Sequence, residues 1–243
     1  NKYIFIYASV MVVAVALLLA TTATVLKPAQ DNNVKIEKMQ QILKSANILV
    51  EPKATIAAYE KYIIRELAVN NKGVIVAEYA NKKQEKGDIR PFDINLKVEL
   101  KKFENKEDAV LPVFVFKGDK GDTLFIFSLY GKGLWGPIWG NISLKSDKNT
   151  VAGVTFGHKG ETPGLGAEIS ELPFQNQFKG KQIFDENGIL TSVAVVKGGI
   201  KNSTTIKPIH GVDAVSGGTI TSNGTNDMLK NCFHVYESFL KTK

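Results

Sequence analysis

Apolar and polar positions divide the chain sharply. Residues 3–26, YIFIYASVMVVAVALLLATTATVL, carry no charged side chain. At ~1.5 Å rise per residue, a helix of this length spans a hydrocarbon core about 30 Å thick. Tyr3, Phe5 and Tyr7 gather at one end, as amphipathic rings do at a membrane interface. The rival is a cleaved leader, whose apolar part runs about 7–15 residues. The longer run here predicts a retained anchor. Residues 28–33 form a polar break. A 3.6-residue period then returns over 34–46, with Ile36, Met39, Ile42, Leu43 and Ala46 on one face. Beyond Pro52 it recurs over 55–67, with Ile56, Tyr59, Tyr62, Ile63 and Leu67. Both patterns predict helices that pack on a core.

Strand patterns follow. Residues 74–79, VIVAEY, read as a strand, and 82–87 as a charged turn. INLKVEL over 94–100 alternates strictly, which predicts a half-buried strand. Residues 111–117 and 123–129 are β-branched and aromatic and flank a Gly-Asp-Lys-Gly-Asp turn, a hairpin pattern. Two more strands are expected over 138–144 and 151–156. Asn187-Gly188, between 182–184 and 190–196, is a second hairpin signal. A helix over 225–240 closes the chain, with Met228, Leu229, Cys232, Tyr236, Phe239 and Leu240 on its apolar side. The expectation is an α+β fold: one N-terminal transmembrane helix, then antiparallel strands and helices. Its expected divisions are an anchor over 1–27, a membrane-proximal helical segment over 28–70 and the α+β domain over 71–243.

Composition narrows the chemistry. The 243 residues are 44% hydrophobic with a formal net charge of +7. Their lysines are interspersed with acids, which argues against nucleic acid as a partner. Cys232 stands alone, so no internal disulfide forms. One Cys with His158, His210 and His234 does not make an iron–sulfur or structural zinc site. Redox chemistry here therefore requires an organic cofactor. The apolar span holds no carboxylate for ion binding. Lys2 precedes it and Lys27, Lys35 and Lys38 follow, so the positive-inside count does not set its orientation. With no initiator Met, a few residues are expected before Asn1.

Three loops stand out. Residues 130–140 pack four glycines with Trp135 and Trp139. An indole there is either a stacking face or a core plug. Residues 157–168 form a long Gly/Pro loop after a strand, a setting that is often functional. Thr162 and Leu165 in it suit a flat aromatic ligand. His158 and Glu161 suggest an acid/base or metal pair, but a lone His is more often a hydrogen-bonding group. The third loop, Asp213-Ala-Val-Ser-Gly-Gly-Thr-Ile-Thr-Ser222, is dense in hydroxyls. It reads either as a phosphate-binding turn ahead of a helix or as a polar turn capped by Thr221 or Ser222. There is no Gly-x-Ser-x-Gly elbow, which excludes the usual hydrolase arrangement.

Asp213, Ser216, Gly217, Gly218 and Thr219 resemble the flavinylation motif Asp-x-x-Ser-Gly-Ala-Thr of FMN-binding domains, with Gly218 where that family usually has Ala. The runs Gly-Glu-Thr-Pro-Gly-Leu-Gly over 160–166 and Gly-Lys-Gly-Leu-Trp over 131–135 resemble the C-subunit family of Na⁺-translocating NADH:quinone reductases. The Rnf complex has a related flavin-bearing component, its G subunit. The resemblance covers the whole chain and implies FMN joined by a phosphoester to the hydroxyl of Thr219 by a periplasmic flavin transferase. It implies a phosphate against the N–H groups of 221–224, near Thr221, with Asp213 orienting the loop or binding the transferase's metal. The ring would meet Thr162, Pro163, Gly164, Leu165 and Gly166, with Leu134 and Trp135 beside it. Lys207 is the candidate partner for a reduced or anionic flavin. No resident metal is expected. The resemblance also implies a single-pass protein of the bacterial inner membrane, with the N-terminus cytoplasmic and the flavin domain periplasmic. Its partners would be the lipid bilayer and the other subunits of a complex passing electrons from NADH to quinone, coupled elsewhere to Na⁺ movement. Such a chain would not turn over NADH or quinone alone. The alternative is an FMN-carrying electron-transfer subunit of an Rnf-type or other membrane-bound reductase.

Overall fold

A computed structural model describes residues 2–242. Contacts divide the chain into a unit that ends at Met39 and one that begins at Gln40. Helix α1 (Lys2–Ser45) contributes to both. From Tyr3 to Val34 its apolar side chains are exposed, Ile36 and Met39 are half-buried, and the span's mean hydropathy is 2.6. Its length and composition suffice to cross a membrane. The hydroxyls of Thr21, Thr22 and Thr24 each donate to the carbonyl four residues earlier at 2.8 Å. The break expected over 28–33 does not interrupt the helix, and Pro28 lies inside it. Proline removes one backbone donor, and a Lys27–Asp31 pair at 2.6 Å bridges the following turn.

In the second unit, α2 (Thr55–Tyr62) leads into a seven-stranded sheet. Its strands are β1 (Ile63–Asn70), β2 (Ile75–Ala80), β3 (Lys83–Lys86), β4 (Val110–Lys117), β5 (Thr123–Lys132), β6 (Pro137–Lys145) and β7 (Val151–His158). The spatial order is β3-β2-β1-β4-β5-β6-β7, with every neighbouring pair antiparallel. A short parallel pair, β8 (Ala194–Val196) and β9 (Gly211–Asp213), lies outside it. Helices α3 (Leu96–Glu104), α4 (Leu172–Gln175) and α5 (Thr219–Leu240) complete the unit. The core forms where Met228, Leu229, Cys232, Phe233 and Tyr236 of α5 meet Leu111, Val113, Phe127 and Leu129 of β4 and β5. Phe127 and Tyr236 pack edge-on at 5.0 Å, and the Tyr236 hydroxyl donates to Pro112 O at 2.8 Å. This is the expected α+β architecture, with one long apolar N-terminal helix and an antiparallel sheet.

Several local expectations are corrected. Within the segment 94–100, residues 96–100 are helical as part of α3, and no strand forms. Leu96, Leu100 and Phe103 also have helical spacing, and Asn95 caps the helix by accepting from Val98 N–H. The helix expected over 55–67 ends at Tyr62. From Ile63 the chain is β1, a central strand that pairs with β2 and β4. The boundary expected at 70/71 therefore falls inside the sheet. The charged segment 82–87 holds an edge strand, β3, reached through Asn81 and Lys82 at φ of 52° and 63°. Exposed lysines suit such an edge. The hairpin expected around Asn187-Gly188 forms as a short one: Phe184 bridges Leu190, Asp185 N–H donates to Ile189 O at 3.0 Å and Thr191 N–H to Ile183 O at 2.8 Å, while β8 pairs with β9.

Candidate functional site

Helix α5 begins at Thr219, six residues before the expected start at 225. The turn ahead of it is built by its own backbone. Gly217 takes φ +74°, a conformation glycine adopts without strain. Gly218 N–H donates to Val215 O at 3.1 Å, and Ser222 N–H to Gly218 O at 2.9 Å. Ser222 Oγ accepts Val215 N–H at 3.1 Å, folding the turn back onto the helix. Gly218 holds the cap position, with no side chain bonded there. Thr221 and Ser222, expected as caps, instead lie buried within the first turns. The N–H groups without helical partners are accordingly those of Thr219, Ile220 and Thr221, whereas Ser222 N–H already bonds Gly218 O; of the N–H groups expected over 221–224, only that of Thr221 is free of the helix ladder.

The four hydroxyls of this stretch are not equivalent. Thr221 Oγ1 donates to the Glu161 carboxylate at 2.5 Å, and Ser222 Oγ is occupied by Val215. Ser216 is exposed and Thr219 is half-buried, and both line a cleft of about 410 Å³. Asp213, Gly217, Lys197, Gly198, Gly199 and Asn223 line it as well. Asp213 Oδ1 accepts Ile200 N–H at 2.6 Å, tying the 197–200 segment to the turn.

Glu161 brings the other two loops to this one. Its Oε1 accepts Trp135 N–H at 2.9 Å while its Oε2 takes the Thr221 hydroxyl. Its own N–H donates to His158 Nδ1 at 3.1 Å. His158 is thus a hydrogen-bonding group, and the suggested acid/base pairing with the Glu161 carboxylate does not form. Among the described residues no group of three or more His, Cys, Asp or Glu is placed to hold a metal ion. The two indoles differ. Trp139 packs so closely on Gly157 that a Cβ there would stand 2.7 Å from its Nε1, whereas Trp135 is 68% exposed.

The structure therefore gathers Asp213, Ser216, Gly217, Gly218, Thr219 and Thr221 with Gly166, Leu165 and Trp135. Thr162, Pro163, Gly164, Leu165 and Leu134 are exposed on the neighbouring loops and do not line the cleft. Lys207 is not brought in. It pairs with exposed Glu186 at 3.1 Å and does not line the cleft, whereas Lys197 does. Lys197-Gly198-Gly199 is a segment that sequence reasoning misses. Its one signal is a Gly-Gly pair after a strand, both at positive φ, 81° and 92°. Further along α5, in the core, burial pushes the Cys232 thiol up to about 12, although a hydrogen bond from Tyr130 N–H opposes the shift. That thiol is a core group.

Residues 133–234, which take in this constellation, match the FMN-binding domain family. The chain is similar to the C subunit of the Na⁺-translocating NADH-quinone reductase of Haemophilus ducreyi. Identity is 33%, covering 90% of this chain and 84% of that protein. It is also similar to the crystal structure of the same kind of subunit from Parabacteroides distasonis, with 41% identity and a TM-score of 0.74, covering 90% of this chain and 98% of that one. The Shewanella oneidensis NqrC structure shares 26% identity at a TM-score of 0.66 over 85% of this chain and 96% of its own. The chain belongs to the C-subunit family of the Na⁺-translocating NADH-quinone reductase.

Proposed function

We propose that this chain carries FMN on Thr219, as a phosphoester, and relays electrons within a Na⁺-pumping NADH:quinone reductase. The observation that carries this reading is the state of the four hydroxyls. Thr221 and Ser222 are buried and engaged, while Thr219 faces the cleft at the first residue of α5, with no hydrogen-bond partner for its hydroxyl among the described residues. An anion bound to its Oγ meets the unpaired N–H groups of the helix start. Ser216 is also unengaged, but it stands in the turn ahead of the helix. The surroundings fit the rest of the group. Leu165 and Trp135 offer exposed apolar faces beside the turn, at 42% and 68% exposure.

When bound, FMN supplies the electron-carrying chemistry. The chain's own residues hold it. Asp213 fixes the 197–200 segment through Ile200 N–H, which brings Lys197 to the cleft. Lys197, rather than Lys207, is then the cation facing a flavin phosphate or a reduced ring. Attachment forms one P–O bond to Thr219 Oγ. The hydroxyl loses its proton, and the leaving group departs from the activated flavin phosphate that the transferase supplies. The apolar span of α1 anchors the chain in the inner membrane, with the N-terminus cytoplasmic and the flavin domain periplasmic. The family assignment supplies the partners, the other subunits of the complex, and the coupling to Na⁺ lies in them.

Intact mass of the protein produced with a flavin transferase tests this. The expected mass exceeds that of the chain by one FMN less one water. Thr219→Ala abolishes the increase and Ser216→Ala retains it. An unshifted wild-type protein sinks the proposal.

A further inference from the structure

Two carboxylates are buried among the described residues, Glu66 at 2% exposure and Glu161 at 4%. Their surroundings differ. Glu66 is paired with the Arg90 guanidinium at 2.6 Å and accepts Phe92 N–H as well. Glu161 makes no ion pair among the described residues. Its carboxylate accepts Trp135 N–H and the Thr221 hydroxyl. A buried charge without a cation is costly. The compensation here is two donors and the N-terminal end of α5, whose dipole favours negative charge. Glycines leave room for the group. A Cβ on Gly166 would stand 2.6 Å from Glu161 Oε2, and one on Gly133 2.5 Å from Oε1.

Joining the loops does not by itself require a charge. A glutamine amide could accept Trp135 N–H through its oxygen and donate to Thr221 through its nitrogen. The retained charge instead lies against Thr221, two residues from Thr219. Water is excluded there, so its field acts with little screening. Reduction adds electron density to a flavin, and a fixed negative charge nearby opposes that addition.

We propose that Glu161 is a positioning residue of the flavin site: it joins the three loops at Trp135 and Thr221, and its buried charge lowers the reduction potential of the flavin carried by Thr219. This rests on the reading of Thr219 as the attachment residue. The test uses the full-length, flavin-loaded protein in detergent, with occupancy read by intact mass and midpoint potential by optical redox titration. Glu161→Gln removes the charge and keeps the shape, so the potential rises relative to wild type. Thr221→Val keeps the charge and removes one of its two donors, so the potential falls. These opposite shifts are not what general loosening of the fold produces. An unchanged or lowered potential in Glu161→Gln overturns the proposal. If that variant takes up no flavin, Thr221→Val decides, and an unchanged or raised potential overturns the proposal. Wild-type protein without a flavin mass overturns the attachment reading, and this inference falls with it. Flavin present with unshifted variants overturns the inference alone.

Discussion

Leu165 lies against Gly217, so close that a methyl group built on the glycine would stand 2.6 Å from Leu165 Cδ2. Gly217 also holds φ +74°, which costs a residue with a Cβ about 1–2 kcal/mol. Gly217→Ala should therefore lower the thermal unfolding midpoint, displace Leu165 and reduce flavin occupancy. Gly218 differs although it is next in the chain. Its φ is −99°, and a Cβ there would meet Gly166 N and Leu165 C at 3.2 Å. Gly218→Ala should cost less than about 1 kcal/mol and leave flavin occupancy intact. Paired calorimetry and intact mass check both.

Cys232 should give the domain an alkaline limit. Its thiol titrates at about 12 when folded against an ordinary value of 9.0, because burial penalises the thiolate. A raised folded value contributes stability that is fully present below pH 9 and is lost as the pH rises through the folded value. The loss is about 1.4 kcal/mol per pH unit between the two. Burial raises Tyr59 and Tyr236 in the same direction, adding to the loss above pH 10. Cys232→Ala should flatten the slope of stability against pH from pH 9 upward in urea unfolding. At neutral pH the native thiol should resist iodoacetamide and react only after unfolding.

Arg90 should matter more than an ordinary surface arginine. It makes two bonds to buried Glu66, at 2.6 and 3.0 Å, and its guanidinium lies 4.2 Å from the Tyr79 ring centre. Arg90→Met leaves Glu66 charged and without its cation, a change worth about 3 kcal/mol in denaturant unfolding. Adding Glu66→Gln to that variant should recover part of the loss, because the uncompensated charge is then gone.

The sheet domain should tolerate removal of residues 1–39 but not of 1–46. Ile42 and Leu43 are fully buried, and the carbonyl of Gln41 accepts the Thr155 hydroxyl at 3.1 Å. Losing both side chains removes roughly 1.5–3 kcal/mol of burial each. Thermal unfolding of the two truncated proteins should differ by several degrees or more.

Legibility follows the reach of each interaction along the chain. Strands β4 to β7 are legible because their β-branched and aromatic runs leave no competing period. Residues 94–100 are not, because a seven-residue window fits both the strand period and the Leu96, Leu100, Phe103 helical face. The start of α5 is obscured by Thr219-Ile-Thr-Ser-Asn-Gly-Thr225, residues of low helix propensity. Tertiary contacts override that preference. Thr221 is bonded to Glu161, and Gly224 lies against Lys132 O in a space closed to any Cβ. Residue types in one contiguous turn point to Thr219 and Asp213. The Glu161 link spans 60 positions and leaves no local trace. Nearness along the chain favours Lys207, whereas the fold carries Lys197 to the cleft.

Thr219 is the first residue of a 22-residue helix whose remaining turns are set into the core, and whose far end is held by Lys148 Nζ donating to Thr242 O at 2.8 Å. A flavin tethered there, as proposed, would inherit the stiffness of a long helix packed along one face on the core. Its freedom is confined to a few torsions of its own tether. For an electron carrier this means a nearly constant distance to donor and acceptor and little rearrangement of its surroundings on each transfer. Speed would then come from a site that holds still.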